Sequence, residues 1–160
     1  MESFQPTTGE QNSILMMRKD DIRPNILVVE DVHETRDGIE TLLLADGYRI
    51  GLARDERDAI ESAQRTRPDL ILVSLGGSPR QVISSGLNIR QHAEIGEGVP
   101  VVVFCIEGID EGDEVAIGKN VHLTRPDNFN QLRSLIARLL VRNPIAPKVE
   151  IMTAAAKRDL

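Results

Sequence analysis

Tryptophan is absent from this chain, and aromatic side chains are limited to three phenylalanines and one tyrosine: Phe4, Phe104, Phe129 and Tyr48. Ring platforms for single-stranded nucleic acid or sugars are therefore disfavoured, and the core must be aliphatic. Cys105 is the single cysteine, so no internal disulfide can form and a reducing, cytoplasmic setting is expected. Basic residues are in deficit: 19 Lys and Arg against 25 Asp and Glu leave a net charge of -6. An acidic domain binds phosphate backbones poorly, so direct nucleic-acid contact is not expected. No apolar run is long enough to cross a bilayer, and no membrane partner is expected. The amino terminus also lacks the basic-then-apolar order of a secretory signal, because the short run Ile14–Met17 precedes its basic residues. What remains is 160 residues, 41% hydrophobic and 28% charged, which suits one domain with tails.

Residues 1–24 are polar, carry Pro6, Gly9 and Pro24, and read as a mobile tail. Met16 or Met17 would make a natural start, with the residues before it an upstream extension. From Asn25 short apolar runs alternate with amphipathic stretches. Asn25–Glu30 (NILVVE), Tyr48–Ala53, Asp69–Leu75 (DLILVSL), Val99–Cys105 (VPVVVFC) and Asn120–Thr124 read as strands. Residues 33–45 place Ile39, Leu42 and Leu43 on one helical face, and Gly47 ends that helix. Asp55 caps a helix over 56–66, with Asp58 at its third position. Ser78-Pro79 opens a helix running to about Glu94, weakened by the internal Gly86. Residues 110–118 are acidic and contain glycine, a marginal helix. Asp127 or Asn128 caps a last helix bearing Phe129, Leu132, Leu135, Ile136, Leu139 and Leu140 at helical spacing. Residues 143–160 form a C-terminal tail, which leaves no room for an attached output domain.

Five βα units over 25–142 predict an open parallel sheet with helices on both faces. In such sheets the site lies beyond the carboxyl ends of the strands. That rule selects Glu30 and Asp31 after the first strand, Ser74 at the end of the third, Cys105 after the fourth, and Arg125 after the fifth.

The segments ILVVED (26–31), PDLILVSL (68–75), VPVVVF (99–104) and HLTRP (122–126) resemble, in order and spacing, a response-regulator receiver domain. The resemblance implies a flavodoxin-like, doubly wound five-stranded parallel sheet of order 2-1-3-4-5. It also implies an acid pair holding Mg²⁺, a phosphoacceptor Asp ending the third strand, a Thr or Ser after the fourth, and a Lys before proline after the fifth. Glu30 and Asp31 match the acid pair. The acceptor position reads Ser74, the hydroxyl position Cys105 and the lysine position Arg125, while His122 replaces the aromatic switch residue of the fifth strand. The segment between Cys105 and Arg125 is also about two residues shorter than the family's, a shortening placed in its fourth helix.

These departures remove chemistry. Mg²⁺ prefers a near-octahedral shell of hard oxygens, and Ser74 replaces a carboxylate by a neutral hydroxyl. Mg²⁺ binding is therefore expected to be weak or absent, with Glu30 and Asp31 vestigial ligands and no cofactor. A serine without an adjacent base is a poor nucleophile, and a thiol is a weak donor to a phosphoryl oxygen. The planar fork of Arg125 could pair with Asp31 and lock the site in place of the metal.

The same positions also admit plain structural roles. Ser74 reads as a core hydroxyl bonded to backbone, Cys105 as a small apolar residue, and His122 as a satisfied strand residue. Gly76-Gly77 follows the third strand and fits no nucleotide-binding fingerprint. The expected function is that of a stand-alone pseudo-receiver, a phosphorylation-independent interaction module. Its partner would be a histidine kinase, another regulator, or a second copy joined through a surplus edge at Leu140 and Val141. The alternatives are a receiver controlled through Ser74 modification, or as a variant of an active phosphoacceptor, and a flavodoxin-like enzyme. The last lacks a convergent Ser/His/Asp set among His33, His92 and His122.

Overall fold

The structure, a computed structural model, describes residues 22–104 and 107–142. The expected tails fall outside it except for Ile22–Pro24, as do the start at Met16 or Met17, Cys105 and Ile106. Pro24 is tied down: its carbonyl accepts the Arg49 N–H at 2.9 Å.

Strands β1 (Asn25–Glu30), β2 (Arg49–Ala53), β3 (Leu70–Ser74), β4 (Val101–Phe104), β5 (Glu114–Ala116) and β6 (Val121–Thr124) form one sheet. Helices α1 (His33–Ala45), α2 (Glu56–Arg65), α3 (Pro79–His92) and α4 (Phe129–Arg142) connect or follow them. The sheet order is β2-β1-β3-β4-β6-β5. The five strands read from the sequence are parallel and stand in the order 2-1-3-4-5 expected of them. Successive side chains of a strand point to opposite faces, so a run buried on both faces is apolar throughout. Leu27, Val29, Ile71, Val73, Val101 and Val103 pack under α2 and α3. Ile26, Val28, Leu70, Leu72 and Val102 pack under α1 and α4.

Helix ends follow their caps. Asp55 Oδ1 accepts the Asp58 N–H at 2.8 Å, and Asp58 Oδ2 accepts the Arg54 N–H at 3.0 Å. Ser78 and Gln81 form a reciprocal capping box ahead of Pro79. Asn128 Oδ1 accepts the Gln131 N–H at 3.1 Å, which decides between the two candidate caps of α4. Gly47, with φ 95°, ends α1 in the left-handed region that its sequence position implied.

The expected helix over 110–118 is a strand. β5 pairs antiparallel with β6, Val115 opposite Leu123, and adds a sixth strand at the edge. The chain reverses through Gly118, Lys119 and Asn120, whose φ values are 101°, 54° and 60°. Three consecutive left-handed residues cannot continue a right-handed helix. The legible signal was the glycine-led turn between β-branched Val115, Ile117 and Val121, which reads as a hairpin.

Candidate functional site

At the carboxyl ends of the strands, register places Glu30 beside Ser74. Glu30 is buried and turns back on its own chain, with Oε2 accepting the Val32 N–H at 3.0 Å. Its backbone carbonyl is held by Arg36 Nη1 at 2.8 Å. Asp31 is exposed, and its Oδ2 lies 3.7 Å from where a Cβ on Gly76 would stand. The first-strand acids and the loop after β3 are thus brought together. A cavity of about 260 Å³ opens there, lined by Ser74, Gly76, Gly77, Pro79, Phe104 and Glu107. A larger hollow of about 600 Å³ lies at the opposite end of the strands, by Arg90 and Lys119. Size does not select the site, because only the carboxyl ends gather the acids and the hydroxyl.

Ser74 is half-buried, and its hydroxyl makes no hydrogen bond among the described residues. The expected bond to backbone is not formed. The expected Arg125–Asp31 bridge is not formed either. Arg125 Nη1 donates instead to the Ile109 carbonyl at 3.3 Å. Its backbone is committed to the β5 side, where its carbonyl accepts the Gly112 N–H at 2.6 Å and its N–H reaches the Asp113 carbonyl at 3.2 Å. The added edge strand therefore holds Arg125 on the side of β6 away from β1. Cys105 lies outside the described residues. His122 is half-buried on β6, its Nε2 2.9 Å from Asn120 Oδ1, as a satisfied strand residue would be. His33 and His92 are engaged within their own helices, with Asp37 and with the Asn88 carbonyl.

The residues present do not suit the divalent ion that the resemblance implies. Glu30 spends one carboxylate oxygen on backbone and Ser74 brings no charge, so Asp31 is the one exposed carboxylate of the three positions. Among the described residues no group of three His, Cys, Asp or Glu side chains is placed to hold a metal.

Sequence reasoning passed over Thr124, the last residue of β6. It is fully buried, and its Oγ1 is the single buried side-chain polar atom without a partner among the described residues. An unpaired buried hydroxyl costs about 1–3 kcal/mol. Thr124→Val keeps the shape and removes the hydroxyl, so it should raise the unfolding free energy by about 1 kcal/mol in urea denaturation.

No family model matches the chain. Among curated proteins it is similar to the KDP operon transcriptional regulatory protein KdpE of Escherichia coli, 31% identical over 123 residues, which are 74% of this chain and 52% of that protein. It is also similar to the transcriptional regulatory protein KdpE of Staphylococcus aureus, 28% identical over 117 residues, 72% of this chain and 49% of that protein. The chain spans about half the length of the curated relatives it matches. Among solved structures, the receiver domain of the sensor histidine kinase PA1611 from Pseudomonas aeruginosa superposes with a TM-score of 0.56 at 29% identity, covering 73% of this chain and 97% of that one. The described domain has the fold of response-regulator receiver domains and is similar to them in sequence. The PA1611 receiver has a magnesium ion coordinated in its active-site cleft. In the present domain, the carboxyl end of the sheet carries Glu30, Asp31 and Ser74. No helix among its described residues is long and apolar enough to cross a membrane.

Proposed function

We propose that this receiver domain is a pseudo-receiver, which works by protein–protein contact independently of phosphorylation. The observation that carries the reading is Ser74, an alcohol at the end of β3 beside Glu30, where the family resemblance calls for an acceptor carboxylate. Phosphoryl transfer depends on charge stabilisation and positioning. Here Glu30 is folded back onto Val32, and Arg125 is held by Ile109. Its neighbour Glu30 turns its carboxylate to the Val32 N–H and no base is hydrogen-bonded to the Ser74 hydroxyl among the described residues, so it is a weak nucleophile. Mg²⁺ binding is weak or absent in this reading, and no cofactor is needed. The partner is a signalling protein, such as a histidine kinase or another regulator, met in the cytoplasm. Partner binding, not phosphate, sets the state of the domain.

The test is incubation with a small phosphodonor and Mg²⁺ followed by intact-mass measurement, alongside melting with Mg²⁺ and beryllofluoride. The wild type and Ser74→Asp should both keep their mass, and the wild-type Tm should not move. A ligand at 100 times its Kd would add about 2.7 kcal/mol to the folded state, a clear upward shift. Such a shift, or stoichiometric phosphorylation of either protein, would overturn the reading.

A further inference from the structure

β5 ends the sheet, and its outer edge is uncovered among the described residues. The Ile117 N–H reaches the Val121 carbonyl at 3.0 Å, and the Arg125 N–H reaches the Asp113 carbonyl at 3.2 Å. The backbone groups of residues 113, 115 and 117 therefore face β6. Alternation along a strand turns the N–H and C=O groups of Glu114 and Ala116 the other way, out of the sheet edge. Val115 and Ile117 are 38% and 45% exposed, on the same face as Leu123. A row of unsatisfied donors and acceptors with apolar side chains beside it is a template for another strand.

The charges along this edge select the occupant. Asp110, Glu111, Asp113 and Glu114 stand at one end and Lys119 at the other. Antiparallel self-pairing centred on Val115 brings the acidic end of each strand, with Glu111, toward the turn that carries Lys119 of the partner subunit. Parallel pairing would stack acid on acid, which is repulsive. We propose that β5 pairs antiparallel with β5 of a second copy across a two-fold axis at Val115, making one continuous sheet. Glu114 and Ala116 of the partner subunit exchange two hydrogen bonds, and the symmetric pair exchanges two more. The two Val115 side chains meet at the closely spaced, non-hydrogen-bonded position between them. The Glu114 side chain is not needed for this contact, since it pairs with Arg138 at 2.8 Å. The strand is short and its acids resist indefinite stacking, so the product is a closed, weak, concentration-dependent dimer. This contact does not depend on whether Ser74 accepts phosphate.

Sedimentation velocity of the full chain over a concentration series tests the proposal. A reversible monomer–dimer equilibrium is expected, unchanged by Mg²⁺ and phosphodonor. Ala116→Pro deletes an outward N–H while sparing the ladder to β6, and should weaken the dimer at least tenfold with the circular dichroism spectrum retained. Should that variant fail to fold, the charge exchange decides. Glu111→Lys and Lys119→Glu should each weaken the dimer several-fold, and the double variant should restore it. A protein monomeric at every concentration would overturn the proposal. So would a dimer indifferent to both the proline and the charge variants, which would move the interface elsewhere, for instance to the exposed Val141.

Discussion

Arg90→Met unfolds in urea with a free energy about 3 kcal/mol below that of the parent chain, because a buried guanidinium bonded to several acceptors is lost. Arg90 lies in the last turn of α3 and is 3% exposed. Its Nη1 donates to the Val99 carbonyl at 2.9 Å and the Asn120 carbonyl at 3.4 Å, and its Nη2 to the Lys119 carbonyl at 2.5 Å. Among the described residues no carboxylate bonds to it, so backbone dipoles compensate its charge. Burial lowers its pKa from the ordinary arginine value, against an opposing pull from Glu97. The guanidinium thus fastens the loop before β4 to the turn before β6, which Asn120 also links by donating to the Glu97 and Gly98 carbonyls. Methionine preserves the apolar stem and leaves the Val99 and Lys119 carbonyls without the Arg90 donor, while the Asn120 carbonyl keeps its bond from the Val101 N–H at 3.0 Å. Arg90→Lys should recover less than half of the loss, because an ammonium is compact and cannot span the same acceptors. A loss below about 1 kcal/mol for Arg90→Met would show that solvent satisfies those carbonyls equally well.

Gly86→Ala should destabilise the domain by about 1–2 kcal/mol, although helix propensity alone favours alanine by about 1 kcal/mol. An added Cβ would stand 2.7 Å from Val101 Cγ1 and 3.5 Å from Val73 Cγ2. Val101 is fully buried on β4, held between Ile71 of β3 and Val121 of β6. It cannot retreat without moving the centre of the sheet, so the overlap outweighs the propensity gain. Val101→Ala in the same chain removes the obstacle, and the double-mutant cycle should show a favourable coupling of about 1 kcal/mol or more. Stabilisation by Gly86→Ala alone would mean that α3 can lift off β4 at little cost. In sequence the glycine reads as a flaw in a helix; in the structure it is a point where α3 lies directly against Val101 and Val73 of the sheet.

The candidate site was legible to the extent that topology dictates it. Strand period and the rule of the carboxyl ends select Glu30, Asp31 and Ser74 for one site. Side-chain pairing was not legible in the same way. The Arg125–Asp31 clamp follows from charge attraction alone, but attraction acts only along the directions that the backbone allows. The hairpin 114–124 takes Arg125 into register with Asp113, and its guanidinium finds the Ile109 carbonyl first. The free hydroxyl of Ser74 and the turned-back carboxylate of Glu30 are likewise results of local geometry that residue type does not reveal.

The resemblance to receiver domains implied the strand order 2-1-3-4-5 and the replacement of the acceptor by Ser74, while the amino-acid sequence by itself determined the five strands and the caps at Asp55 and Ser78. Those features rest on local chemistry and on hydrophobic period, both of which are written along the chain. Only the tertiary structure decided that residues 110–118 form an edge strand, that Arg90 clasps two loops, and that Gly86 is a contact point. Each of these depends on what lies across space from the residue. A weak helix former beside a buried sheet takes the pairing that satisfies its backbone, and the partner groups are dozens of positions away or on another element.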